Sequence, residues 1–288
     1  MTRRTDLAVE SCETFQNQPP EGVTISNSKL EEISLTDIRI TSEAGAKAVG
    51  KPMGRYVTVE LPPFGESMEV SEKTLTAIGG IIREYVGADF PVLVAGLGNS
   101  DITPDALGPM VASGIFSTRH ITNDMAQEYG LGNLRPVCAI APGVLGQTGI
   151  ETGEIISCVA EEIGAGSIIA VDAFAASNLS RLGCTIQISD TGISPGSGVQ
   201  NARKEISPAT MNRKVVAIGI PTVVDAATIV TDLQGEGNAV ISEKAKDMVV
   251  TPRDVDLMIK RASHTISMAI NLALQPSLTA DDIQGLVS

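Results

Sequence analysis

Five short, mainly apolar runs recur along the chain, and they constrain its fold more than any other feature. They lie at residues 92–95, 137–141, 168–171, 185–188 and 215–220. Runs without polar alternation are typical of strands that are covered on both faces, as parallel strands are in α/β proteins. Helical segments between them can serve as the crossover connections. The sequence therefore predicts a single α/β domain with a mostly parallel, twisted sheet flanked by helices.

The remaining elements follow from residue spacing and capping signals. Helices are predicted over 71–85, 104–118, 151–163 and 175–182. A last helix is predicted to start with Thr251 as its N-cap and Pro252 at its first position. Residues 1–63 are more polar and contain short strand-like pieces at 23–25, 38–40 and 56–61. We expect this segment to be an N-terminal extension that finishes in the sheet.

Composition excludes several classes of function. With 288 residues, of which 43% are hydrophobic, the chain can bury a large core. Its formal net charge of −13 argues against direct binding to nucleic acid. No apolar stretch approaches the roughly 18 residues needed to span a bilayer, and no secretory signal follows Met1, so a cytoplasmic protein without a membrane partner is expected. The four cysteines lack metal-site spacing and favour structural packing.

Two aspartates occupy the positions where an α/β sheet builds its sites. Asp172 closes the run 167–172, and Asp105 follows another run and a glycine turn, with Thr103 as a predicted N-cap and Pro104 at the first helical position. Two parallel strands would bring both carboxylates to one edge of the sheet. Such a pair can act as general base and general acid on a water that attacks a peptide bond.

Plainer explanations of the same residues stay open at this point. Asp105 could be only a partner of a helix dipole, and the segment 96–99 only a tight turn, since it lacks the third glycine of a dinucleotide site. A metal site built on the two aspartates and His120 or His264 is a further alternative. The small-residue segments 141–152 and 188–198 could hold an extended substrate or simply connect elements.

Several longer blocks resemble one family. The segments GLGN, TPDALGP, APGVLGQTGIET, AVDAFAASNLSRL, TIQISDTGISPGSGV and GIPTVVDAATIV are similar to those of the germination proteases of spore-forming bacteria. The resemblance implies an endopeptidase that degrades small acid-soluble spore proteins, with no cofactor. It also implies a phosphorylase/hydrolase-like fold, as in hydrogenase-maturation endopeptidases, a homotetramer, and a zymogen made in the developing spore and active in the spore core. The family's proposed aspartic pair falls on Asp105 and Asp172. Rival functions are a metal-dependent endopeptidase of the hydrogenase-maturation type and a non-catalytic peptide-binding protein.

The N-terminus carries a further signal once this resemblance is considered. The family's substrates are cut after an acidic residue in a Thr-Glu-apolar-Ala motif, and this chain contains Thr5-Asp6-Leu7-Ala8. We therefore expect self-cleavage between Asp6 and Leu7. Residues 1–6 would be a pro-segment and residues 7–288 a single peptidase domain. An ordinary solvated N-terminus is the alternative.

Overall fold

A single mixed sheet organises the part of the chain that the computed structural model describes, namely residues 5–15, 18–31, 33–66, 70–195, 205–234 and 248–287. Its strands are β1 Val23–Leu30, β2 Ile33–Ile40, β3 Gly54–Glu60, β4 Val92–Gly96, β5 Val137–Ile140, β6 Ser167–Ala176, β7 Thr185–Ser189, β8 Lys214–Asp225 and β9 Val249–Val250. The order across the sheet is β1-β2-β3-β7-β8-β6-β4-β5, and β9 pairs with the end of β8. The α/β class predicted from the apolar runs is confirmed.

The central strands β4, β5, β6 and β8 are parallel, as predicted. The N-terminal extension does finish in the sheet, because β1, β2 and β3 form an antiparallel unit that joins through β7. One orientation was predicted wrongly, since β7 runs antiparallel to β8. The reason is the connection between β6 and β7, residues 177–184, which is too short for the crossover that would let β7 run in the same direction as β6 and β8.

The helices are α1 Ala8–Ser11, α2 Glu43–Val49, α3 Glu72–Val86, α4 Leu107–Ser113, α5 Asn123–Glu128, α6 Leu145–Thr148, α7 Thr152–Glu162, α8 Pro208–Met211, α9 Ala226–Gln234, α10 Val255–Leu274 and α11 Ala280–Val287. The predicted helices at 71–85 and 151–163 correspond to α3 and α7. The predicted helix at 175–182 is wrong, because residues 175 and 176 continue β6 and pair with β8. Only one 3-10 turn, Leu179–Arg181, follows.

Two predicted helix starts also differ from the structure. The segment 104–118 divides into a 3-10 helix, Thr103–Asp105, with Ile102 as its N-cap, and then α4. Helix α10 begins after Asp254 rather than after Thr251. The Thr251 hydroxyl instead donates to the carbonyl oxygen of Thr222 at 3.0 Å, which fastens this segment to β8. For Thr251 a tertiary contact therefore replaces the local cap that the sequence suggested.

Hydrophobic cores cover both faces of the sheet. Helices α3, α4 and α10 pack on one face. The other face is covered by α1, α2, α7 and α8. Residues Leu7 and Ala8 are fully buried in this second core, so the described N-terminal residues are part of the fold. Cys12 is also packed there, whereas Cys158 is exposed, contrary to the packing expected of it.

Candidate active site

Two polar side chains project from the middle of the sheet onto the face that the N-terminal segment covers. Asp172 of β6 and Gln187 of β7 are both paired with Gly219 of the intervening strand, β8. Residues that are paired across neighbouring strands have their side chains on the same face of the sheet. Asp172 and Gln187 therefore share a face, and the two strand spacings between them amount to about 10 Å. Both residues are buried. The ring of Phe174 fills the space over Gly219, since a Cβ there would lie 2.3 Å from it. The carboxyl group and the amide thus flank this ring.

Asp105 reaches the same region from the turn that follows β4. The backbone N–H of Asn99 donates to Oδ2 of Asp105 at 2.7 Å. Gly98 has a positive φ of 113°, and a Cβ there would lie 2.0 Å from the carbonyl oxygen of Asp105. The glycine turn therefore permits the backbone contact that places this carboxylate. The hydroxyl of Thr222 donates to the carbonyl oxygen of Pro104 at 2.8 Å, which ties the 3-10 helix to β8.

Helix α4 fixes the two aspartate-bearing segments relative to each other. The N–H of Leu97 donates to the carbonyl oxygen of Val171 at 2.8 Å, just before Gly98 and Asp172 respectively. Gly108 of α4 lies directly on this junction. A Cβ on Gly108 would come within 2.2 Å of the carbonyl oxygen of Leu97 and 2.6 Å of that of Val171. The helix can approach this closely only because residue 108 has no side chain.

Asp105 and Asp172 both line one open cavity of about 460 Å³. The structure therefore brings together the two carboxylates that the sequence analysis selected. Their catalytic role stays a prediction. Asp172 accepts a hydrogen bond at 2.9 Å from the N–H of Ala173. The segment 141–152 contributes Val144 and Thr152 to the wall of the cavity.

The predicted processing site lies at this cavity as well. The N–H of Asp6 donates to the carbonyl oxygen of Ala175 at 3.0 Å, and the N–H of Ala175 donates to Oδ2 of Asp6 at 2.8 Å. Residues 1–4 of the predicted pro-segment and residues 196–198 of the predicted loop 188–198 lie outside the described part. Asp6 itself is among the cavity-lining residues. The chain's own N-terminal peptide thus contributes to the wall of the cavity that both aspartates line.

Gln187 contacts this peptide on both sides of the bond between Asp6 and Leu7. Its Nε2 donates to the carbonyl oxygen of Asp6 at 3.2 Å, and its Oε1 accepts from the N–H of Ala8 at 2.6 Å. Sequence reasoning did not identify Gln187. The available signal was a polar residue inside the otherwise apolar run 185–188.

Lys51 was also missed, because it follows α2 in a segment without a recognisable motif. Its Nζ donates to the carbonyl oxygen of Thr5 at 2.9 Å. Burial lowers the pKa of Lys51, and the negative charges of Asp6 and Glu10 partly oppose that shift. The Glu10 carboxylate accepts from the N–H and the hydroxyl of Ser177 at 2.8 and 2.9 Å. Buried and partly buried charges therefore lie around residues 5–10, at the start of the described chain.

The metal alternative finds little support in the placement of the histidines. Neither His120 nor His264 lines the cavity. Within the described ranges, no group of three His, Cys, Asp or Glu side chains is arranged to hold a metal ion.

Among those same ranges, no helix has the length and apolar character needed to cross a membrane.

Comparisons with known proteins identify relatives along nearly the whole chain. A family model described as germination protease matches residues 3–234. The chain is 41% identical to the germination protease of Caldanaerobacter subterraneus subsp. tengcongensis, over 99% of this chain and 98% of that protein. It is 40% identical to that of Clostridium perfringens, over 97% of each chain. The match to the protein of Priestia megaterium is 42% identical over 80% of this chain and 65% of that protein.

A solved structure with some likeness is the [NiFe] hydrogenase maturation protease HycI from Thermococcus kodakarensis KOD1. Its TM-score is 0.37 at 14% identity, covering 66% of this chain and 98% of that one. The family is shown by the sequence matches, and not by this distant structural likeness.

Proposed function

Because this chain belongs to the germination protease family, we propose that it is a spore endopeptidase whose catalytic groups are Asp105 and Asp172. The observation that carries this proposal is the position of the N-terminal peptide. Two carboxylates line a cavity whose wall includes Asp6, a residue of the N-terminal peptide that forms two hydrogen bonds with Ala175 of β6. The site therefore has both the groups and the space that hydrolysis of a peptide bond requires.

In the proposed mechanism, a water molecule between the carboxylates attacks the scissile carbonyl. One aspartate takes the proton of the water while the other, in its protonated form, donates to the carbonyl oxygen. The base and the acid are assigned to the pair of aspartates and not to one residue each. Gln187 Nε2 already donates to a peptide carbonyl at the cavity, and it can polarise the same oxygen as negative charge develops.

We further propose that the chain processes itself between Asp6 and Leu7. Residues 1–6 would then be a pro-segment and residues 7–288 the peptidase domain of a zymogen. The contacts of Gln187 on both sides of this bond support that assignment, since they hold the Asp6 carbonyl at the cavity. The peptide order Thr-Asp-Leu-Ala also has the acidic and apolar positions that we expect of a substrate.

The proposed substrates are the small acid-soluble proteins of the spore, and the proposed location is the cytoplasm of the developing spore and the spore core. These proposals follow from family membership and the docked peptide, and they include no cofactor and no direct contact with nucleic acid. A homotetramer is proposed on the same basis. Sedimentation velocity of the purified chain tests the assembly directly.

The decisive experiment uses a polypeptide that contains Thr-Glu-Ile-Ala, with products mapped by mass spectrometry. We expect wild-type protein to cut after the glutamate, and Asp105→Asn and Asp172→Asn each to reduce the rate at least about 100-fold. Asp124→Asn, at an exposed position of α5, is the matched control and should cut normally. Activity that survives in both site variants would refute the aspartate pair.

Repeating the cleavage assay in the presence of a chelator distinguishes the rival functions. Cleavage that is abolished by chelator and restored by a divalent ion would support the metal-dependent endopeptidase. Saturable binding of the peptide without any cleavage would support the non-catalytic binding protein. The proposed mechanism expects the same rate with and without chelator.

A further inference from the structure

The cavity that holds both aspartates is strongly acidic. Its described lining includes one basic side chain, Lys51, against the acidic residues Asp6, Asp105, Asp172 and Glu205. Like charges disfavour the entry of another carboxylate. Among the described lining residues, Lys51 is the basic side chain that can offset this repulsion for an acidic peptide side chain. The chain's own Asp6 shows that such a side chain does lie here.

The position of the Asp6 side chain defines a subsite. Its Oδ2 accepts from the N–H of Ala175 at 2.8 Å, while its backbone carbonyl accepts from Gln187. Lys51 contacts the same peptide one residue earlier, at the carbonyl oxygen of Thr5. The charge of Asp6 also acts on the Lys51 ammonium group, which is otherwise desolvated. The backbone N–H of Ala175 thus binds the acidic side chain of Asp6, the amide of Gln187 binds its carbonyl oxygen, and the Lys51 cation binds the carbonyl oxygen of the residue before it.

Lys51 is held in this position by the backbone on either side of it. Its N–H donates to the carbonyl oxygen of Ala46 at 3.3 Å, at the end of α2, where Gly50 ends the helix in a left-handed conformation. The hydroxyl of Tyr56 donates to the carbonyl oxygen of Pro52 at 2.8 Å. A long side chain that starts from a fixed backbone loses less freedom when it binds a ligand, which favours selectivity.

We propose that Lys51 is the specificity-determining residue that selects an acidic side chain immediately before the cleaved bond. In this proposal Asp6 occupies the substrate's subsite in the uncut chain. The inference rests on the proposed function, since it assigns a subsite to that cleavage site. Release of residues 1–6 would leave Lys51 and the Ala175 N–H available to the glutamate of a substrate.

The test compares two peptides, Thr-Glu-Ile-Ala and Thr-Gln-Ile-Ala, which differ only in the charge before the cut. We expect wild-type protein to prefer the glutamate peptide by about tenfold or more in kcat/KM, as a charge-assisted contact provides. Lys51→Met should reduce this ratio to near one, mainly through KM. Lys51→Arg should keep most of it. Lys47→Met, an exposed position of the preceding helix, is the matched control and should leave the ratio unchanged.

Self-processing of the full chain provides a second readout. Asp6→Asn should slow the cut in the wild-type background and have little further effect in the Lys51→Met background. Equal slowing in both backgrounds would overturn the proposal. So would equal loss of both peptide activities in Lys51→Met and Lys51→Arg, which would indicate a purely structural role. Failure of the proposed function can be told apart from failure of the Lys51 proposal. In the first case wild-type protein would cut neither peptide, whereas in the second it would still cut them.

Discussion

Adding a single methyl group to Gly108 should separate the two candidate catalytic segments. In Gly108→Ala the new Cβ would lie 2.2 Å from the carbonyl oxygen of Leu97, 2.4 Å from its nitrogen and 2.6 Å from the carbonyl oxygen of Val171. These are backbone atoms, which cannot rotate away as a flexible side chain could. We therefore place the strain near the upper end of the range for overpacked sites, about 3 kcal/mol.

Helix propensity opposes part of this cost. Alanine is more favourable than glycine in a helix by about 1 kcal/mol, so the net loss of unfolding free energy is about 2 kcal/mol. For a chain of 288 residues this corresponds to a decrease in Tm of about 3 °C. Gly80→Ala in α3 is the matched control, because a Cβ there meets nothing within 4 Å. The free energy of unfolding of Gly80→Ala should increase by up to about 1 kcal/mol.

The functional effect should exceed the effect on stability. A shift of α4 changes the junction that precedes Gly98 and Asp172, and misplacement of a reacting group by 1 Å can lower a rate about 100-fold. We expect calorimetry to show a folded Gly108→Ala protein with the lower Tm, and the peptide assay to show at least a tenfold loss of kcat. A Gly108→Ala protein as stable and active as Gly80→Ala would refute the close-approach argument.

Two predictions concern sites away from the cavity. Asn271→Ala should lower the unfolding free energy by about 2–4 kcal/mol in denaturant titrations, because its buried amide bonds one backbone N–H and one carbonyl oxygen at 2.9 Å each. The exposed Asn27→Ala should change it by less than about 0.5 kcal/mol. Burial raises the pKa of Cys12 to about 11, so at pH 8 iodoacetamide should label Cys158 and leave Cys12 unmodified. Equal labelling of both thiols in the folded protein would contradict the burial of Cys12.

The sequence was most informative where chemistry and local pattern coincide. Asp172 could be selected because a carboxylate closes an apolar run, and Asp105 because it follows a run and a glycine turn. The family could also be recognised from contiguous blocks of residues, and the comparisons confirm it. In each case the informative residues are neighbours in the chain.

The missed features depend on contacts between distant segments. Gln187 reaches the site because β7 pairs with β8 in an antiparallel register, which the run 185–188 alone does not specify. The segment 175–182 was predicted to be helical, but pairing with β8 outweighs the helix propensity of its alanines. Lys51 becomes informative only when the N-terminal peptide lies beside it.

The unequal burial of the residues on either side of the Asp6–Leu7 bond has a consequence for the direction of processing. Leu7 and Ala8 are fully buried in the core, whereas Asp6 and Thr5 are held mainly by a few polar contacts. A cut would leave the downstream end in place and turn the upstream end into a separate, short peptide. That peptide would lose the high effective concentration that the covalent link provides. Processing at this bond would therefore be a one-way step, with the freed leader a weak competitor at millimolar concentrations or below.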